Sequence, residues 1–410
     1  MFVLAPFFEF YIMGGTMIAL NENRLYLLFL ILLGFLFAQF SLQGAGDTPP
    51  MLWQRQFEEK NRCYSHGISI WDAQKNTILI AGTSFQPGTY QNGTFWLWEI
   101  NQEGKIFKDI LIEKAEKDGI VDSGDLAIKG LALSKEGEIL IVLCLKGYAT
   151  SFVKMTYEGK ILLSKEIYKE KLGVNIFKTI KTSDASLVLL GNDGLMAKIN
   201  SSGEKLWEKK YDLGRDEYFT DGVPMPEKGE FIATGCSTKI EGLGFDIGSP
   251  SDVCVLKCDS NGTILSEEIF EGRRPKICKL DSGNFILVYD KDLKESIDYK
   301  IKCLDPKLKT LWEKDLIKSQ EGYEPFTIAS VPGGGFVIAG ELEFTFYFWE
   351  FDKNGNSLNK FTLDPGNYRV CHPYIVCSDD KALIAIDSTS ESNTSIDIVK
   401  MFAVKLKKNK

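Results

Sequence analysis

The sequence predicts an all-β fold: a seven-bladed β-propeller of four-stranded blades, with the last blade closed by the N-terminal strand. Three observations support this prediction. A short apolar strand, often ending in a small residue, recurs seven times, and each copy is followed by an alternating strand and a turn. The seventh copy lacks a closing strand, which the start of the repeat region can supply. Repeats at this spacing indicate sheets that stack into one body.

The repeated unit is clearest between residues 332 and 361. It starts as Pro-Gly-Gly-Gly-Phe-Val-Ile-Ala-Gly, passes through an alternating strand that contains Phe-Tyr-Phe-Trp-Glu-Phe, and reaches the turn Asp-Lys-Asn-Gly. A Gly-rich turn between two short apolar stretches predicts a hairpin. Copies of the strand after this turn span residues 78–82, 139–143, 187–191, 231–235, 285–289, 336–340 and 383–386.

The next strand of each copy has a charged residue between two apolar ones. Period-2 alternation places the apolar side chains on one face of the strand and the charges on the other. The charged positions are Glu99, Lys154, Lys198, Lys257, Lys302, Glu350 and Lys405.

The two ends of the repeat region complement each other. The seventh copy runs out after Leu406, whereas residues 52–57 read Leu-Trp-Gln-Arg-Gln-Phe and match Leu-Trp-Glu-Lys-Lys-Tyr at 206–211. The first strand therefore completes the last blade and removes an exposed sheet edge. Residues 47–410 are predicted to form this single domain.

Residues 1–46 lie outside the repeat. An almost uninterrupted apolar run at 25–40 follows Arg24, and Gly44 and Gly46 come after it at the spacing of a cleavage site. The run is short for a membrane span, so a secretory signal is favoured over a retained N-terminal membrane anchor. Translation starting at Met17 or Met13 would suit such a signal. Either alternative predicts an exported protein, periplasmic or extracellular.

The charge balance argues against a nucleic-acid partner. The chain has 48 basic and 56 acidic residues, a net charge of −8, and no long Lys/Arg block. Binding to phosphate backbones needs clustered positive charge. We expect a monomer that binds no nucleic acid.

Three motifs together resemble the repeat of bacterial exported β-propellers related to the quinoprotein-like (PQQ-like) superfamily. They are Gly-Gly-Phe-Val-Ile-Ala-Gly at 334–340, the Asp-x-Asn-Gly turn at 352–355 and Leu-Trp-Glu-Lys at 206–209 and 311–314. The resemblance covers about residues 52–406. It implies a propeller that serves as a scaffold, a binding protein or, in some relatives, an enzyme. The eight blades and the docking motif of the quinone-binding members do not occur here, so no quinone cofactor is predicted.

The two histidines of the chain occupy matching positions. His66 and His372 both lie where a connection enters the first strand of a blade, with Cys63 shortly before the first and Cys371 next to the second. Because blades one and seven are neighbours in a closed ring, the four residues could meet at the mouth of the channel. They could hold a metal ion, or Cys63 and Cys371 could form a disulfide. Unrelated loop residues are the simpler interpretation.

Two other patterns are interpreted as structural. Cys258 and Cys303 occupy a repeat position that is apolar in the other copies, which predicts buried thiols. The segment 352–356, Asp-Lys-Asn-Gly-Asn, resembles a calcium loop but lacks the later bidentate acid. Related turns in other blades favour a simple turn.

The lengths of the connections distinguish the two faces of the disc. The connections between first and second strands and between third and fourth strands are mostly short. Those of the opposite face vary, the longest being predicted at 83–92, 110–125 and 236–251. A rigid scaffold with variable loops is typical of recognition. We expect a non-catalytic binding or scaffolding propeller for protein or carbohydrate. The alternative is a carbohydrate-active hydrolase or lyase with carboxylates at the channel mouth; no catalytic residue is assigned.

Overall fold

Seven four-stranded antiparallel sheets make up the computed structural model of the protein. The structure describes residues 51–57, 63–72, 74–85, 94–112, 126–145, 149–169, 174–214, 216–227, 229–238, 251–293, 296–319, 327–342, 345–363, 368–378, 380–390 and 398–407. The predicted signal or anchor at 1–46 lies outside this part. Within these ranges, no helix is long and apolar enough to cross a membrane. The prediction of an all-β, seven-bladed propeller is confirmed.

The strands are numbered in chain order, and each blade is given from its inner to its outer strand. Blade 1 contains β2 (Cys63–Asp72), β3 (Thr77–Phe85), β4 (Thr94–Ile100) and β5 (Ile106–Ile112). Blade 2 contains β6 (Leu126–Leu133), β7 (Ile139–Leu145), β8 (Ala149–Met155) and β9 (Ile161–Tyr168). Blade 3 contains β10 (Ile176–Lys181), β11 (Leu187–Gly191), β12 (Leu195–Ile199) and β13 (Lys205–Lys210). Blade 4 contains β14 (Asp216–Pro224), β15 (Phe231–Thr238), β16 (Ser251–Cys258) and β17 (Ile264–Glu271).

The remaining blades follow the same order. Blade 5 contains β18 (Arg273–Lys279), β19 (Phe285–Leu293), β20 (Ser296–Leu304) and β21 (Thr310–Ser319). Blade 6 contains β22 (Thr327–Val331), β23 (Gly335–Leu342), β24 (Thr345–Phe351) and β25 (Ser357–Leu363). Blade 7 contains β26 (Tyr368–Cys377), β27 (Lys381–Ser390), β28 (Ile398–Lys405) and, as its outer strand, β1 (Met51–Phe57).

The N-terminal strand closes the ring as predicted. β1 pairs antiparallel with β28, with Trp53 opposite Ala403 and Phe57 opposite Val399. The inner strands contact one another in sequence around the ring, and β26 contacts β2. The first and last strands of the fold therefore lie in one sheet, and the backbone edge of β28 is covered.

The hydrophobic core is divided among the seven seams between blades. Each cluster of buried apolar side chains combines two neighbouring blades, as in the cluster of Leu79, Phe95, Ile139 and Val153 between blades 1 and 2. The other six clusters fill the remaining seams. A blade thus buries both of its faces against its neighbours, which a single sheet cannot do alone.

Because the blades stack, the alternation of apolar and charged residues in the third strands does not separate a buried face from a solvent-exposed face. In several of these strands the charged residue is covered as well: Glu99, Lys302 and Glu350 are buried, and in β12 every residue is buried, including Lys198, whereas Lys405 is exposed. The Lys198 ammonium binds the Asp184 carboxylate at 2.7 Å and donates to the carbonyl of Ser260 in blade 4 at 3.2 Å. Buried charges need such partners. Alternation alone did not reveal which of these charged residues are enclosed.

A repeated aromatic contact joins consecutive blades. Trp207 in the outer strand of blade 3 covers Gly262 in the turn of blade 4, and its indole N–H donates to the Ser260 carbonyl at 2.9 Å. Trp312 covers Gly355 in the same way, where an added Cβ would lie 2.6 Å from the ring. The Leu-Trp-Glu-Lys and Asp-x-Asn-Gly motifs are therefore the two halves of one seam contact.

The interpretation of residues 352–356 as a turn is confirmed. The Asp352 carboxylate accepts the backbone N–H groups of Asn354 and Asn356, both at 2.8 Å. Burial acts to raise the pKa of Asp352, but these hydrogen bonds outweigh it and lower the pKa. Asp259 forms the same turn in blade 4.

The predicted bounds of the long connections were wrong by a few residues. β3 continues to Phe85, because Thr83 and Ser84 still pair with β4, and both side chains are buried. Likewise, β5 ends at Ile112 and β15 at Thr238. Residues 86–93, 113–125 and 239–250 themselves lie outside the described part of the chain; the strand ends that flank them are on one face of the ring, which agrees with the prediction.

Cys258 and Cys303 are buried as predicted, with exposures of 0% and 1%. Burial is the main cause that raises the pKa of Cys258 to about 12 and that of Cys303 to about 11. We therefore expect neither thiol to react with a thiol-specific reagent in the native protein. Peptide mapping by mass spectrometry before and after urea unfolding checks this. Labelling of either thiol at the rate of the unfolded chain would contradict it.

Candidate functional site in the central channel

The four residues singled out as metal ligands lie on neighbouring inner strands. Cys63 and His66 belong to β2, and Cys371 and His372 belong to β26, which contacts β2. The structure describes their backbone but not their side chains. Among the side chains that it does describe, no group of three metal-binding residues occurs. The metal site and the disulfide between Cys63 and Cys371 stay predictions.

A register shift recurs at one level of the channel. Six of the seven inner strands shift register against their second strand at this level, all except β22. Such bulges kink a strand and redirect its side chains, and they are common beside functional sites. In blades 3, 4 and 5 the residues that resume pairing after the shift are Lys178, Asp221 and Lys276.

These three residues form a charged group on consecutive blades. The Lys178 ammonium lies 3.5 Å from the Asp221 carboxylate, whose other oxygen accepts the backbone N–H of Ile277 at 3.0 Å. Burial lowers the pKa of the Lys276 ammonium. Asp221 opposes this shift, whereas the positive charges of Lys178 and Lys129 add to it. The Asp221 carboxylate therefore attracts the ammonium groups of both Lys178 and Lys276.

The group lines a cavity of about 720 Å³ in the channel. Six of the seven inner strands contribute to the described part of its wall. The cavity runs from the level of Asp221 to Ser183 and Pro226, which lie in the connections after β10 and β14. It thus extends toward the face of the short connections, opposite the face predicted to carry the function.

The wall of the cavity has two chemically different sides. Blades 3 and 5 contribute Lys178, Lys181, Lys276 and Lys279. Blades 1, 6 and 7 contribute no charged side chain to the described lining; their side consists of apolar, aromatic, hydroxyl and thiol groups such as Ile70, Trp71, Thr327, Tyr374, Ile375 and Cys377.

A second cationic cluster lies at the start of β18. The Arg273 and Arg274 guanidinium groups both bind the buried Asp290 carboxylate, with N–O distances of 3.0 to 3.2 Å. The backbone N–H of Arg274 also donates to the Cys236 thiol at 3.1 Å. The buried Asp290 carboxylate thus holds both guanidinium groups at the start of the inner strand of blade 5.

The channel lysines were missed by the sequence reasoning, which looked for contiguous basic blocks. A signal was present, because Lys178 and Lys276 pair with equivalent residues of the second strand, Leu190 and Val288. Comparing the repeats position by position, with attention to polar residues in the inner strands, could have found them.

Comparisons with known proteins support the fold alone. No protein-family model matches the chain, and no curated protein is similar in sequence. A solved structure described as the Dos1 propeller is similar, with a TM-score of 0.50 and 15% identity over 84% of this chain and 80% of that one.

Two structures of proteins of unknown function also match. One is from Dyadobacter fermentans, with a TM-score of 0.46, 10% identity and coverage of 86% of this chain and 99% of that chain. The other is from Bacteroides caccae, with a TM-score of 0.38, 13% identity and coverage of 69% and 94%. The likeness to the Dos1 propeller agrees with the seven sheets described above: the chain folds as a seven-bladed β-propeller.

Proposed function

We propose that this is an exported, non-catalytic binding or scaffolding propeller that recognises protein or carbohydrate through the face of the long connections. The observation that carries the proposal is the contrast between the closed ring and these connections. The ring buries apolar side chains in the seams between blades, and the strand ends that flank residues 86–93, 113–125 and 239–250 are all on one face. These three segments differ in length. Binding residues are commonly found on loops held by a rigid scaffold.

The composition of the channel supports binding over glycoside hydrolysis. Hydrolysis of this type commonly uses two carboxylates on either side of the scissile bond. In the described lining of the cavity, Asp221 is the single carboxylate, and it is engaged by Lys178 and the Ile277 N–H.

Shortening one long connection tests the proposal. Residues 239–250 are replaced by Asn-Gly, since Thr238 pairs with Ser251 and a two-residue turn can join paired ends. We expect the variant to keep its cooperative melting, because loops tolerate change. It should lose binding to glycans on an array or to proteins captured by crosslinking with the intact chain.

The matched control changes the opposite face. Glu103 and Lys353 are exposed in short turns of blades 1 and 6, and the double variant Glu103→Ala with Lys353→Ala should retain every ligand. If the shortened variant binds all ligands normally while this control loses them, the recognition face is the other one.

A further inference from the structure

Positive charge is concentrated in the channel of a protein that is acidic as a whole. The described lining of the cavity contains four lysines and one carboxylate, while the chain carries a net charge of −8. A concave site with charges of one sign and low-dielectric walls focuses its potential and attracts counter-ions. The channel is therefore the part of the described structure best suited to an anion.

Asp221 does not neutralise this charge. Its carboxylate is shared between the Lys178 ammonium and the Ile277 N–H, and it lies in the same ring of positions as Lys276. Among the described residues, no ion pair or hydrogen bond engages the ammonium of Lys276 or of Lys279, whereas Lys181 donates to the Leu133 carbonyl. The ammonium groups of Lys276 and Lys279, which are three residues apart on β18, are available to a ligand.

The opposite wall favours a particular shape of anion. Trp71 of blade 1 and Tyr374 of blade 7 contribute aromatic side chains, and Ile70 and Ile375 contribute apolar surface. A free inorganic ion would leave this wall without a partner. A volume of about 720 Å³ falls in the range of small-molecule sites, which combine apolar walls with a few polar groups.

We propose that the central channel binds a small organic anion, one phosphate or carboxylate group on a ring or other apolar body. The anionic group contacts the Lys276 ammonium, Lys279 adds positive charge further along the same strand, and the apolar body lies against the wall of blades 1 and 7. This inference goes beyond recognition by the long connections. It uses different residues, so either can fail without the other.

Isothermal titration calorimetry of the full chain tests the site with defined probes: phenyl phosphate, benzoate, inorganic phosphate and benzyl alcohol. We expect phenyl phosphate or benzoate to bind with a stoichiometry of one per chain. The probe that binds more tightly shows whether the site prefers a phosphate or a carboxylate group. Inorganic phosphate lacks the apolar body and benzyl alcohol lacks the charge, so both should bind at least about tenfold more weakly. Salt should weaken binding, because Coulomb attraction is screened.

Two channel variants and a surface control complete the test. Lys276→Gln should weaken binding of the organic anion at least about tenfold, the range of a lost charge-assisted hydrogen bond. Asp221→Asn should strengthen it, because the amide oxygen can still accept the Ile277 N–H while the competing negative charge is gone. Lys353→Gln, exposed in a short turn, should change it less than about twofold.

Thermal melting verifies that the variants are folded, and Asp221→Asn provides a test that does not depend on Lys276→Gln folding. The proposal is overturned if neither phenyl phosphate nor benzoate binds to the wild type or to Asp221→Asn. Equal binding of inorganic phosphate or of benzyl alcohol would also overturn it, as would equal losses in Lys276→Gln and Lys353→Gln.

Discussion

Deleting residues 47–58 is expected to abolish cooperative folding or to lower the melting temperature by more than about 10 °C. The deletion removes β1, which pairs along β28. Without β1, Val399, Met401 and Ala403 of the adjacent seam cluster lose the strand that covers them on the outer side. It also removes Trp53, whose indole N–H donates to the Gln102 carbonyl at 2.7 Å and whose ring covers Gly104. Loss of a packed Trp alone costs about 3 kcal/mol or more.

The same deletion exposes the edge of β28 to other chains, so aggregation should rise with protein concentration. Calorimetry and light scattering measure the two effects. Replacing residues 239–250 by Asn-Gly is the control, because it shortens the chain by a similar amount within a connection. If both variants melted at the wild-type temperature, closure by the N-terminal strand would contribute no stability.

Gly235→Ala is expected to lower the free energy of unfolding by about 3 kcal/mol or more. Gly235 is the small residue near the end of β15, opposite the register shift of β14. A Cβ there would lie 1.8 Å from the Tyr218 carbonyl oxygen, a backbone atom that cannot move without displacing the inner strand. Urea unfolding measures the loss from the shift in midpoint.

Gly283→Ala is the matched comparison. Gly283 has a φ of +87°, but a Cβ there would meet nothing within 4 Å. Its substitution should therefore cost only the backbone term of about 1 kcal/mol. Equal losses in the two variants would contradict the assignment of Gly235 to close strand approach, since Gly235 does not have a positive φ.

The repeat made much of the fold predictable. The apolar strands, the Gly turns and the match of residues 52–57 to 206–211 indicated seven blades and a closing N-terminal strand, and β1 pairs with β28 accordingly. The apolar repeat position of Cys258 and Cys303 indicated buried thiols in the same way. These features depend on the local pattern of apolar and turn residues, which recurs in each copy of the repeat.

The tertiary structure determined the contacts between residues of different blades. Trp312 and Gly355 are far apart in the sequence and meet only because blade 5 packs on blade 6. The channel group also forms only in the closed ring, since Lys178, Asp221 and Lys276 come from three blades and are brought together by ring closure and by register shifts of their inner strands. Sequence periodicity determined the strands and the blade count. The meeting of these charges follows from non-local packing, because each inner strand contributes one position to a ring that no single repeat contains.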